Sequence, residues 1–98
     1  MDRDDLRAHE TDLVGQWLDV GGRIEADAVA DRIKHLVAHR LDRVGSADGG
    51  WSILFRDPRD GRYWELTYPR SATQGGGPPR LRYLTVGAAK AKYSIGTG

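Results

Sequence analysis

Cysteine is absent from this 98-residue chain, which excludes a disulfide framework, a thiolate zinc site and a cysteine nucleophile together. Long hydrophobic runs are missing as well. No apolar stretch approaches bilayer-spanning length, and the opening Met1-Asp2-Arg3-Asp4-Asp5 lacks the basic-then-apolar order of an export signal. The expectation is a cytoplasmic protein with no membrane partner. Nor does one sign of charge dominate. Fifteen Lys and Arg residues, twelve of them arginine, are interleaved with 14 acids for a net charge of +1, so no basic run marks a phosphate-tracking groove.

Catalytic signatures are lacking too. There is no GxSxG elbow, no HExxH, and no Lys-Ser/Thr after the glycine run that would complete a phosphate loop. His35 and His39 stand at i and i+4 on a helical pattern, a spacing that can put both rings on one metal ion. A third ligand is wanting, since His9 lies in a charged N-terminal arm. No cofactor and no metal are therefore expected.

What is present, 39% hydrophobic and 30% charged residues, suits one small soluble domain over residues 1–98, with 1–9 and 94–98 frayed. Leu13, Val14, Trp17, Leu18 and Val20 suggest a strand from about Val14 to Asp19, and Gly21-Gly22 a hairpin turn into Arg23-Ile24-Glu25. Val29, Ile33, Leu36 and Val37 recur at helical spacing, with Asp27 as N-cap, predicting an amphipathic helix from about Ala26 to Leu41. Gly45 and Asp48-Gly49-Gly50 read as the loop after it.

The chain then turns extended. Trp51, Ile53 and Phe55 alternate along one strand, with Leu54 breaking the alternation. Asp57-Pro58-Arg59-Asp60-Gly61 carries hairpin-turn chemistry: Pro58 presets φ, Asp57 bonds back to turn amides, and Gly61 supplies a left-handed residue. A second strand runs from Arg62 to Tyr68, with Trp64, Leu66 and Tyr68 inward and Tyr63, Glu65 and Thr67 outward. After Pro69 and a Gly75-Gly76-Gly77-Pro78-Pro79 loop, a strand fits Arg80 to Thr85 and a short helix Ala88 to Tyr93. The fold class is α+β: a small antiparallel sheet, one long amphipathic helix packed on one face, and a short C-terminal helix. Trp51, Ile53, Phe55, Trp64, Leu66 and Tyr68 are assigned to holding the sheet together.

Two binding chemistries compete for the remaining residues. Arg56, Arg59, Arg62, Arg70, Arg80 and Arg82 around Tyr63, Trp64, Tyr68 and Tyr83 suit a small RNA-binding module, although near-neutral charge and the core's need for aromatics argue against nucleic acid. Tyr, Trp and Arg are also the types that anchor protein interfaces, and a protein partner is the preferred reading. Glu65, mid-strand among aromatics, is where burial can raise a carboxyl pKa, while Arg56, Arg62 and Arg82 offer it cross-strand ion pairs.

The run Phe55-Arg56-Asp57-Pro58-Arg59-Asp60-Gly61-Arg62-Tyr63-Trp64-Glu65-Leu66-Thr67-Tyr68-Pro69, followed by Gly75-Gly76-Gly77-Pro78-Pro79, resembles the immunity protein 27 family of bacterial polymorphic toxin systems. Glu10 to Trp17 and the helix around Arg32-Ile33 share the likeness. That resemblance implies a non-enzymatic antitoxin whose partner is a cognate toxin domain encoded by a neighbouring gene and bound in the producing cell's cytoplasm. Candidate partner-binding residues are Asp57, Arg59, Asp60, Arg62, Tyr63, Glu65, Arg70 and Gln74. The acids Asp57, Asp60 and Glu65 would suit the basic cleft of a nuclease toxin.

Overall fold

The computed structural model describes residues 6, 7, 9–68 and 77–93. Its elements are β1 (Asp12–Val14), β2 (Trp17–Val20), β3 (Arg23–Ala26), α1 (Ala28–His39), β4 (Asp42–Ala47), a short 3-10 turn (Asp48–Gly50), β5 (Ser52–Arg56), β6 (Tyr63–Thr67), β7 (Arg80–Leu84) and α2 (Val86–Tyr93). Five strands form an antiparallel sheet in the order β1-β7-β6-β5-β4, and β2 and β3 form a separate hairpin. The class is α+β, as the sequence pattern predicts.

Local chemistry accounts for most boundaries. The Asp27 carboxylate accepts a 2.7 Å hydrogen bond from the Ala30 amide and so caps α1. Gly21 and Gly22, at φ 60° and 86°, make the turn between β2 and β3, the double left-handed geometry that matches strand twist. At the β5–β6 turn, Asp57 Oδ1 accepts from the Arg59 amide and the Gly61 amide donates to the Asp57 carbonyl, with Gly61 at φ 79°.

One strand was not expected. Residues 42–47, read as loop because Gly45 and Ser46 have weak strand preference, pair with β5 as β4. The free hydrogen-bonding edge of β5 outweighs local propensity here. Register slips between Arg43 and Gly45, leaving Val44 unopposed. That bulge blunts an outer edge which would otherwise be open to another strand.

Both sheet faces are covered. On one, Ile33 and Leu36 of α1 meet Phe55, Trp64, Leu66 and Leu81, joined by Leu13, Leu41 and Leu6. On the other, Leu54 and Leu84 pack with Ala89 of α2, flanked by Tyr63 and Tyr93. This second core explains why Leu54 breaks the alternation. Within the arm expected to fray up to His9, Leu6 is only 2% exposed and packs in the core. Residues 94–98, also expected to fray, lie outside the described residues, as does Pro69.

Candidate partner-binding groove

The predicted contact residues divide sharply. Asp57 is 2% exposed and Glu65 3%, so neither presents a carboxylate to a partner. Asp57 is occupied with its own turn. Arg62, expected as a contact, is mostly buried: its guanidinium donates to the Arg7 and Glu10 carbonyls at 3.0 and 2.9 Å and to Asp60 at 2.7 Å. It also lies 5.0 Å over the Trp64 ring. Asp60 stays partly exposed beside it, its carboxyl held below the usual range because the Arg62 backbone and side-chain bonds outweigh the opposing effect of burial. Arg59 is exposed and reaches the Leu6 carbonyl at 3.4 Å. Together with the paired Glu10–Arg32 bonds at 2.7 Å, these arginines tie the N-terminal segment to the sheet and α1. Tyr63 is half-buried against the α2 side. Arg70 and Gln74 lie outside the described residues.

Glu65 does not face outward, because α2 covers its face. Lys92 Nζ and Tyr93 Oη each reach its carboxylate at 2.7 Å, and Arg82, directly opposite on β7, at 3.4 Å. Burial alone would raise the Glu65 pKa, as expected from sequence, but these bonds reverse the sign and hold it below the ordinary value. Lys92 is correspondingly raised, chiefly by Glu65, and also meets Asp48 at 3.2 Å. The Arg82 pairing is the cross-strand partner read from the sequence; Lys92 and Tyr93 were not foreseen, since α2 comes from far along the chain.

A different surface is open. Trp51, expected in the core, is 58% exposed and meets Tyr68 edge-on at 6.3 Å between ring centroids. It stands just before β5, past the glycine turn. Trp51 and Tyr68 form one wall of a groove of about 300 Å³; Trp17 and Pro79 bound it, and Ile33, Val37 and Leu66 lie along it. Lys34 is the charged side chain lining it, and it makes no ion pair among the described residues. The signal for this site was present in the sequence as an aromatic adjoining a glycine pair, but alternation along β5 pointed to the core.

Gly15 packs between Pro79, which bounds the groove, and Ala30 of α1. The Gly15 amide donates to the Pro79 carbonyl at 2.9 Å, and a Cβ at Gly15 would lie 2.8 Å from that oxygen and 3.0 Å from the Ala30 Cβ. Only glycine lets the chain pass this close under α1.

Nothing in this surface resembles a reaction centre. Among the described residues no three His, Asp or Glu side chains gather as a metal ion requires, and the His35 and His39 rings lie 5.0 Å apart. Among the same residues no helix is long and apolar enough to cross a membrane. No curated protein and no solved structure matches the chain. The family model for immunity protein 27 matches residues 19–85, a span that takes in α1, β3 to β7, the Asp57–Gly61 turn and most of the groove. With more than half its length matched, the chain belongs to the immunity protein 27 family and is an immunity protein that neutralises a cognate toxin, not an enzyme.

Proposed function

We propose that this chain acts as one compact domain that neutralises its toxin by stoichiometric complex formation in the cytoplasm of the producing cell, covering the toxin's active site or the path of its substrate. Family membership over residues 19–85 carries this reading. The exposed aromatic groove adds to it, because Trp and Tyr at an open concave surface are the side chains that anchor protein interfaces. Steric cover needs no catalytic group. The RNA-binding alternative is weakened at four of its residues: Arg80 is paired with Asp12, Arg82 with Glu65 and Arg62 with Asp60, while Trp64 is fully buried and cannot stack on a base.

The test is co-expression with the toxin domain encoded next to this gene. Growth should be rescued, and the purified pair should run as a single complex of fixed ratio. Rescue without a complex, or a complex in which the toxin remains active, would overturn the proposal.

A further inference from the structure

Several charged groups on this molecule are spent on one another: Arg32 on Glu10, Arg80 on Asp12, Lys92 on Glu65 and Asp48. Lys34 differs. It lines an otherwise apolar and aromatic groove and has no acidic partner within ion-pair distance among the described residues.

A free ammonium at the edge of an apolar groove selects its occupant by charge as well as by shape. The apolar surface also continues beyond the groove. Trp17 pairs with Ala26 and Asp19 with Ile24, so Ile24 shares the ribbon face of Trp17, and Ile24 is 67% exposed. An isolated two-stranded ribbon with exposed apolar side chains is marginal by itself in water and gains most from a partner laid against it. Of the acids expected to meet a toxin, Asp57 and Glu65 are buried and Asp60, though exposed, is paired with Arg62, whereas Lys34 brings an unpaired positive charge to the groove.

Resting on the reading of the chain as a toxin-binding immunity protein, we infer that the groove between α1 and Trp51 receives an apolar segment of the cognate toxin carrying a carboxylate that pairs with Lys34. The apolar residues of that segment fill the space between Trp17, Trp51 and Tyr68. Its acid supplies direction by pairing with Lys34, the charged side chain among the described residues that line the groove.

The experiment measures affinity for the purified toxin domain by calorimetry, with rescue of growth as a second readout. Trp51→Ala and Lys34→Glu should keep the wild-type melting temperature, because both side chains lie outside the core. Trp51→Ala should weaken binding on the order of 30-fold, the loss of an aromatic hot spot. Lys34→Glu should weaken it about tenfold or more and reverse the salt dependence of binding. Val86→Ser, which removes an exposed apolar side chain beside the opposite face, should change affinity less than twofold. Wild type that binds and rescues while Trp51→Ala and Lys34→Glu both stay within threefold would overturn the inference and leave the proposed function standing. Failure of the wild type to bind or rescue would overturn the proposed function itself. A free protein that runs as a dimer dissociated by Trp51→Ala, or one in which Trp51 is shielded from acrylamide quenching, would give the groove to a second copy or to the chain itself and also overturn the inference.

Discussion

Against α1 the five-stranded sheet presents Phe55, Trp64, Leu66 and Leu81, all buried hydrocarbon, whereas against α2 it presents Leu54 and Leu84 beside a buried carboxylate, Glu65. The two helices differ to match. Ala30, Ile33 and Leu36 of α1 are buried along one stripe, while α2 buries only Ala89 and reaches the sheet through Lys92 and Tyr93. Apolar burial is non-directional and independent of ionisation, while an ion pair fixes geometry but depends on ionisation and screening. The difference teaches that α1 makes the fold and α2 is clamped onto it.

The largest expected effect tests the apolar side. Trp64→Ala should cost about 3–5 kcal/mol, enough to leave the domain largely unfolded, measured by urea denaturation. Glu65→Ala comes next, at about 2–3 kcal/mol, because Lys92, Tyr93 and Arg82 lose a shared acceptor. Amide exchange should then rise across Val86–Tyr93 while α1 stays protected; equal loosening of both helices would break the distinction.

Acid should act on both sides of the sheet, through Glu10, paired with Arg32 of α1, and through Glu65, paired with Lys92 of α2. The folded pKa of Glu65 is depressed, and Arg32 above all holds Glu10 down to about 2 from the ordinary 4.5. A depressed carboxyl stabilises the fold fully above its unfolded pKa and loses that contribution as pH falls. Stability should therefore be level above about pH 5 and decline below it. Glu10→Gln should remove the part of that decline that extends towards the folded Glu10 value of about 2, followed by circular dichroism against pH. High salt at neutral pH should loosen α2 before α1.

Smaller changes sharpen the α1 side. Gly15→Ala presses a methyl against the Pro79 carbonyl and Ala30, and should cost about 1–3 kcal/mol while narrowing the groove. Asp27→Ala removes the α1 cap and should cost about 1 kcal/mol, with no change in α2 exchange. Both are read from thermal melts.

Much of the fold was legible because its signals are local. The 3.6-residue recurrence of Val29, Ile33, Leu36 and Val37 with Asp27 ahead of it specifies α1. The Gly21-Gly22 and Asp57–Gly61 turns specify two hairpins, and alternation along β6 separates Trp64 and Leu66 from Tyr63 and Glu65. β4 was illegible because Gly45 and Ser46 become strand only by pairing with β5. Glu65 was read as outward for a related reason. A polar residue alternating with apolar ones reads as outward, and nothing near Glu65 in sequence shows that Lys92 and Tyr93 will cover it.

The sequence by itself determined the α+β class, the α1 helix, the turns and the family, since each depends on residues close together along the chain. It took the packing of distant elements to make Glu65 and Asp57 internal, to tie Arg62 to the N-terminal segment, and to leave Trp51 and Lys34 open. The physical reason is that burial is set by what packs against a residue, and the elements that cover Glu65 and fail to cover Trp51 lie far away in the chain.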